Sequence, residues 1–167
     1  MIKTKLLTNI LLLCICILFI NIGCKKEEVA AKAAEPFVVK IDNIQVVIKN
    51  VTVAIKENGE NLPFLLIEAY PENGDHIYLI IYHVMIGDKA IIDVTNNEWG
   101  SFFFYTTKEG KSFEASQKYA HASGKIIITK NDLSKKRIEG TFAGVATATD
   151  SNYGTKNFTD GSFALNY

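Results

Sequence analysis

The stretch LPFLLIEAYPENGDHIYLIIYHVM, residues 62–85, decides the fold class, because it places two apolar runs on either side of an Asn-Gly turn. The runs cover residues 62–70 and 76–85, and both are rich in Leu, Ile and aromatic residues. Asn73 and Gly74 tolerate the positive φ angles that tight hairpin turns require. Two such runs around Asn-Gly are a strong short-range signal for a β-hairpin. We therefore predict an antiparallel hairpin at this place in the chain.

The same rhythm of short apolar runs and turn residues continues on both sides of this hairpin. Asn58-Gly59 repeats the turn signal, and other turns recur about every ten residues, a spacing typical of an antiparallel sandwich or barrel. No stretch shows a helical period of useful length, and the short connections exclude parallel crossovers. The sequence predicts an all-β antiparallel meander of about nine or ten strands, forming a sandwich or barrel. The predicted strands lie at residues 37–41, 44–55, 62–70, 76–85, 90–94, 99–106, 112–117, 124–129, 138–149 and 157–167.

Alternation along these strands assigns their side chains to faces. Gly140 and Gly144 lie on one face of their strand, which indicates a bend or the close approach of a neighbouring strand. The alternative is a small-residue gap filled by an aromatic side chain from another strand. We prefer this alternative because protein interiors are densely packed. The residues predicted to share faces are Leu65, Ile67 and Ala69; Ile138, Phe142 and Ala146; and Phe163, Leu165 and Tyr167.

The composition of the 167-residue chain limits its function classes. Its 18 basic and 18 acidic side chains give no net charge, which argues against a nucleic-acid-binding protein, because such proteins normally carry a basic patch. Hydrophobic residues make up 48% of the chain, enough for the core of one domain. The three cysteines, Cys14, Cys16 and Cys24, all lie near the start. The rest of the chain therefore has no disulfide, cysteine-ligated zinc site or thiol nucleophile.

Residues 1–23 have the profile of a secretory signal peptide. Lys3 and Lys5 precede an apolar run over residues 6–22 that ends at the small residue Gly23. The run is slightly shorter than the roughly 20 apolar residues that a membrane-spanning helix needs. An uncleaved membrane anchor is the alternative interpretation, because the lengths of the two kinds of segment overlap.

Cys24 decides between these interpretations. Asn21-Ile22-Gly23-Cys24 resembles the lipobox of bacterial lipoproteins, with Asn21 where Leu is usual. The resemblance implies that a diacylglyceryl group is attached to the Cys24 thiol before cleavage on its N-terminal side. Two or more acyl chains make such an attachment to a membrane stable. The expected segments are residues 1–23 as a signal peptide, 24–36 as the lipidated cysteine with a flexible tether, and 37–167 as a single all-β domain.

Lys26, Glu27 and Glu28 follow the lipidated cysteine and resemble the Lys-plus-two-acids export signal of Bacteroidota lipoproteins. This resemblance implies a protein that is anchored to the outer membrane of the cell envelope and exposed on the cell surface. A soluble charged linker is the alternative for so short a motif.

The C-terminal third, residues 123–163, carries a second resemblance. Its Gly-x-Ile-x-Ile strand, Ile-x-Gly-Thr-Phe segment and Thr-x-Gly-x-Phe ending resemble a group of all-β Bacteroidota lipoproteins of unknown function. The resemblance implies topology and location, and it implies no chemistry. The matching positions are Gly124, Ile126 and Ile128; Ile138, Gly140, Thr141 and Phe142; and Thr159, Gly161 and Phe163.

The residues predict no metal site, no cofactor and no catalytic motif. His76, His83 and His121 lack the spacing of metal ligands. Gly110-Lys111-Ser112 lacks the upstream glycine and the helix of a phosphate-binding loop, so we interpret it as a hairpin turn. Asp150-Ser151-Asn152 resembles the start of a calcium loop, but an Asx turn explains it more simply.

The aromatic residues near position 100 are the most suggestive feature for binding. Alternation places Phe102 and Phe104 on one face and Phe103 and Tyr105 on the other. One set belongs to the core, and the other, if exposed, would bind a glycan, a peptide or an apolar ligand. A sandwich with both faces covered is the favoured alternative, because aromatic residues dominate cores. We assign candidate ligand contacts to Trp99, Phe103 and Tyr105.

Three functions remain open. The leading hypothesis is a non-enzymatic binding or interaction module of the cell envelope, attached to the membrane through lipid on Cys24, with a glycan, peptide or protein as ligand. The second is a lipocalin-like carrier of a small apolar ligand. The third is a glycan-directed hydrolase whose carboxylate pair assembles from distant strands. An apolar cavity would favour the carrier. Two acids that face each other and have raised pKa values would favour the hydrolase. A filled core with an exposed aromatic patch would favour the binding module.

Overall fold

A computed structural model describes residues 36–57, 63–82, 90–96, 100–150 and 152–167. Within these ranges the protein is all-β, with eleven strands. No helix in the described part of the chain is long and apolar enough to cross a membrane. The strands are β1 (Phe37–Ile41), β2 (Ile44–Gln45), β3 (Ile48–Glu57), β4 (Pro63–Pro71), β5 (His76–Tyr82), β6 (Ala90–Asp93), β7 (Phe102–Thr106), β8 (Ser112–Ala115), β9 (Ser123–Asp132), β10 (Arg137–Ala148) and β11 (Thr155–Asn166).

The strands form one antiparallel sheet in the order β2-β1-β11-β10-β8-β7-β5-β4-β3, with β9 beside β10 and β6 beside β9. β1, near one end of this order, also contacts β3 at the other end, so the sheet curls into a half-barrel. This confirms the predicted antiparallel fold class. The simple meander is interrupted where β6 pairs with β9, so that β5 and β7 become neighbours, and where β8 pairs with β10 instead of with β9.

The hairpin predicted from residues 62–85 is present. β4 pairs with β5, with Leu66 opposite Ile80. The Gly74 N–H donates a hydrogen bond to the Pro71 carbonyl at 3.2 Å, and Gly74 has a φ of +87°. Within the Asn-Gly pair only the glycine has a positive φ. Residues 72–75 separate β4 from β5, so the connection is longer than a two-residue turn. β3 also pairs with β4, which confirms the preceding hairpin, although the Asn58-Gly59 turn itself lies outside the described residues.

A two-residue turn that the sequence analysis did not identify joins β1 to β2. Asp42 and Asn43 have φ angles of 51° and 66°, so both central residues are left-handed, as a type I′ turn requires. The Asp42 carboxylate accepts hydrogen bonds from the Asn157 N–H at 3.0 Å and from Lys156 Nζ at 2.6 Å. Burial alone would raise the pKa of Asp42, but these two donors outweigh it and lower the pKa. The turn is thereby bound to β11.

The inner face of the curled sheet is filled by packed side chains. The ring of Phe103 lies 5.1 Å from that of Phe158 and 5.9 Å from that of Phe142, measured between centroids. The predicted shared face of Ile138, Phe142 and Ala146 is buried, as is that of Leu65, Ile67 and Ala69. The largest fully buried side chains are Phe37, Phe103, Phe158, Leu65, Ile67, Ile77, Leu79, Ile81, Ile126, Ile138, Val39 and Val94.

The two glycines of β10 have different structural roles. A Cβ at Gly140 would lie 2.5 Å from the ring of Phe163, so an aromatic side chain from β11 fills this gap, which confirms the preferred interpretation. A Cβ at Gly144 would overlap the backbone of Ser123 and Gly124 on β9. Gly144 therefore permits the close approach of a neighbouring strand, which is the alternative that we gave less weight.

Candidate functional site

The outer face of β4, β5 and β7 carries the candidate site. Strand register aligns Leu66 with Ile80 and Phe102 in one row. The same register aligns Tyr78 with Phe104 in the next row across the sheet. Because alternate residues of these strands fill the core, these side chains point outward, and each is partly exposed. We call this surface the outer aromatic face, and it consists of Phe64, Leu66, Tyr70, His76, Tyr78, Ile80, Tyr82, Phe102 and Phe104.

Three rings at one end of the outer aromatic face form a close cluster. The ring of His76 lies 4.2 Å, between centroids, from those of both Tyr70 and Tyr78. The Tyr78 hydroxyl and His76 Nδ1 share a hydrogen bond at 2.6 Å. His76 Nε2 is buried and has no hydrogen-bond partner among the described residues. The phenyl ring of Phe104 continues the cluster, 6.0 Å from Tyr78. These contacts hold the rings in fixed orientations on a rigid sheet.

Polar groups border this cluster. Glu68 lies opposite Tyr78 on the adjacent strand and accepts a hydrogen bond from the Thr52 hydroxyl at 3.2 Å. Burial, the charge of Glu68 and the neighbouring Tyr70 raise the pKa of Tyr78. The Tyr78 hydroxyl therefore remains protonated at neutral pH, and beside its bond to His76 its oxygen can accept a further hydrogen bond. The outer aromatic face thus combines ring surfaces with hydroxyl and carboxylate groups.

A second ring pair lies at the other end of the outer aromatic face. The rings of Phe64 and Tyr82 face each other across β4 and β5 with their centroids 5.2 Å apart. The Tyr82 N–H donates a hydrogen bond to the buried hydroxyl of Ser101 at 3.0 Å, which connects this end of β5 to the segment before β7. Both ends of the face are therefore fixed by contacts between strands.

The structure separates the aromatic residues that the sequence analysis grouped as candidate ligand contacts. Phe103 is 0% exposed and Tyr105 is 6% exposed, so both belong to the core. The partly exposed set is Phe102 and Phe104. The exposed patch therefore lies on the opposite side of β7 from the one we assigned. Trp99 lies outside the described residues. The same is true of the predicted lipidation and sorting residues Cys24, Lys26, Glu27 and Glu28.

Tyr105 has a structural contact instead. Its hydroxyl donates a short hydrogen bond of 2.5 Å to the buried carboxylate of Asp75. Burial, this hydrogen bond and the charge of Asp75 raise the pKa of Tyr105 well above its ordinary value. Asp75 also accepts hydrogen bonds from the Asn73 amide at 2.6 Å and the Lys108 N–H at 3.0 Å. This network joins the β4–β5 turn to the β7–β8 turn.

The carboxyl groups with shifted pKa values do not match a hydrolase. Asp93, Asp132 and Glu139 have lowered pKa values because neighbouring side chains donate hydrogen bonds to them. A general acid for glycoside hydrolysis needs a raised pKa instead. Among the described residues, no group of three or more His, Cys, Asp or Glu side chains is placed to hold a metal ion.

Two motifs from the sequence analysis have the structures that we predicted for them. Gly110-Lys111-Ser112 follows the turn between β7 and β8, where the Gly110 N–H bonds to the Thr107 carbonyl at 2.8 Å. Asp150 accepts a hydrogen bond from the Asn152 N–H at 3.1 Å, the pattern of an Asx turn.

Comparison of the chain with protein-family models, curated proteins and solved structures gives no match.

Proposed function

We propose that this protein is a lipid-anchored binding module of the cell envelope, and that its outer aromatic face binds a glycan. One observation carries the proposal: the inner face of the sheet is filled, while the outer face of β4, β5 and β7 retains a contiguous, partly exposed aromatic surface. Aromatic side chains beyond the needs of the core are a feature of binding surfaces.

The mixture of groups on the outer aromatic face favours a glycan over a purely apolar ligand. Sugar rings offer flat C–H faces that stack on aromatic rings, and they carry hydroxyl groups that need hydrogen-bond partners. Tyr78 and Phe104 supply adjacent ring surfaces. Glu68 and the oxygen of the Tyr78 hydroxyl supply hydrogen-bond acceptors beside them. The rings are fixed on strands, so little conformational freedom is lost when a ligand binds.

The N-terminal segment supports the envelope location in this proposal. Lipid on Cys24 would attach the chain to the outer membrane, and the motif Lys26-Glu27-Glu28 would direct it to the cell surface. The twelve residues 25–36, if extended, span roughly 40 Å, enough to hold a binding domain clear of lipid headgroups.

The test is binding of the full chain to an oligosaccharide array, followed by calorimetric titration of the best ligand. We expect Tyr78→Ala and Phe104→Ala each to weaken binding by about tenfold, since a stacked aromatic contact contributes about 1–2 kcal/mol. Tyr153→Ala is the matched control, because Tyr153 is a 46% exposed aromatic on the turn before β11, away from β4, β5 and β7.

Two results would overturn the proposal. One is a chain that binds no oligosaccharide on the array or binds only peptides. The other is Tyr78→Ala and Phe104→Ala variants that remain folded and bind the glycan as well as the wild type does.

A further inference from the structure

The curled sheet is open along the seam between β1 and β3. The Val46 N–H, just after β2, donates to the Val39 carbonyl of β1 at 3.0 Å and extends the β1–β2 pairing by one bond. β1 and β3 themselves form no ladder with each other, and β3 is the terminal strand of the sheet order. A cavity of about 280 Å³ lies at this place. Its lining residues are Pro36, Phe37, Ile48, Lys49, Asn50, Val51 and Leu165.

The wall of this seam cavity is mainly apolar, with one cationic position. Phe37 and Leu165 are core residues, and Ile48 and Val51 pack against the core while remaining partly exposed. Lys49, in contrast, is exposed and makes no ion pair with any described residue. An apolar wall beside an unpaired ammonium group matches a ligand with an apolar chain and an anionic head.

The inner face of β3 extends this apolar surface beyond the cavity. Val51, Val53 and Ile55 alternate along the inner face, opposite core residues of β4. Val51 and Val53 are partly buried, whereas Ile55 is 46% exposed although its partner Leu65 is buried. An extended apolar chain that starts at Lys49 would therefore find further apolar side chains along β3.

We propose that the seam between β1 and β3 binds a fatty acid, with its carboxylate at Lys49 and its acyl chain in the seam cavity. A water molecule occupies about 30 Å³ in the liquid, so the cavity has room for about nine groups of that size, such as the carbons of a medium-length acyl chain. This site is separate from the outer aromatic face, and neither proposal depends on the other.

The test is photolabelling of the full chain in membranes with a photoreactive ten-carbon fatty acid, followed by mass-spectrometric mapping. We expect saturable labelling at residues 37 and 48–51, competed by decanoate. Octanoate should compete about fifteenfold more weakly, because it lacks two methylenes and each buried methylene contributes roughly fourfold in affinity.

Two pairs of matched variants separate the site from a general effect on the fold. Val51→Phe fills the cavity and should abolish labelling, whereas Ile91→Phe, at a 72% exposed position of β6 that does not line the cavity, should retain it. Lys49→Glu should weaken competition by decanoate about fivefold, since an exposed ion pair contributes up to about 1 kcal/mol. It should leave competition by uncharged decanol unchanged. Lys56→Glu, also exposed on β3, should change neither.

The proposal is overturned if labelling is not saturable, or if it maps to other strands such as those of the outer aromatic face. It is also overturned if phospholipid, but not decanoate, competes, or if the folded Val51→Phe variant is labelled as strongly as Ile91→Phe.

Discussion

At the scale of single residues, the buried carboxylate of Asp75 connects the β4–β5 turn to the β7–β8 turn by hydrogen bonds. It receives hydrogen bonds from the Tyr105 hydroxyl, the Asn73 amide and the Lys108 N–H. These donors belong to two different hairpins, so the network connects segments that local turn preferences alone would leave independent. Buried ionised groups persist only when hydrogen bonds of this kind replace their lost hydration.

The Tyr105→Phe substitution tests this network. It removes one donor from a buried carboxylate while keeping the ring in the core, so we expect the free energy of unfolding to fall by about 1.5–3 kcal/mol. Tyr153→Phe is the control, because Tyr153 is exposed, and it should change stability by less than about 0.5 kcal/mol. Urea unfolding of both variants gives the comparison. Equal stability of Tyr105→Phe and the wild type would show that the hydroxyl contributes nothing to the fold.

At two places in the half-barrel, a glycine on one strand leaves room for a phenylalanine ring from another strand. A Cβ at Gly140 would contact the ring of Phe163, and one at Gly124 would lie 2.9 Å from the ring of Phe103. Glycine weakens a strand because it has no side chain to pack, and an aromatic ring from a neighbouring strand restores the lost contact. β9, β10 and β11 can therefore approach closely and still present a filled inner face.

At the scale of the strand, Gly144→Ala tests the close packing of β10 against β9. The added methyl group would overlap backbone atoms of Ser123 and Gly124, which cannot move without disturbing the β9–β10 ladder. We expect a loss of about 1–3 kcal/mol in the free energy of unfolding, the usual range for overpacking. Thr141→Ala, an exposed position on the same strand, should stay within about 0.5 kcal/mol of the wild type. A Gly144→Ala variant as stable as Thr141→Ala would contradict this packing.

The strand positions were largely predictable because apolar alternation and turn residues are local signals. β1 lies at the predicted residues 37–41, and β10 and β11 lie within two residues of their predicted bounds. The place of β6 was not predictable, because pairing with β9 is a long-range choice that no turn residue encodes. The Asp42-Asn43 turn was missed because its signal is weaker than that of Asn-Gly.

The sequence predicted the aromatic strand of the candidate site but not which of its two faces is exposed. Phe102, Phe103, Phe104 and Tyr105 are all aromatic, so alternation separates them into two faces without indicating which face is buried. The curl of the sheet decides this, and it places Phe103 and Tyr105 inside. The cluster around His76 draws on two strands, so its proximity emerges only from the β4–β5 register.

At the scale of the whole molecule, the proposed binding function needs attachment of the chain to the envelope, and we propose that this attachment depends on one thiol. Cys24 follows the small residue Gly23, whereas Cys16 follows the bulky Ile15. Only Cys24 therefore resembles a lipidation site. A single acyl chain holds a protein weakly on a bilayer, whereas two or more hold it stably, so loss of the modification should remove the stable lipid anchor.

The prediction is that Cys24→Ser abolishes incorporation of a fatty-acid analogue fed to producing cells, while Cys16→Ser labels like the wild type. The Cys24→Ser chain should also be absent from the fraction of stably lipid-anchored protein, because it carries no acyl chain. Protease added to intact cells should degrade the wild-type chain if Lys26-Glu27-Glu28 directs it to the surface. Degradation only after permeabilisation would contradict the sorting role of that motif and leave the anchor intact. Labelling of Cys24→Ser at the wild-type level would contradict the anchor itself, because no other cysteine in the chain follows a small residue.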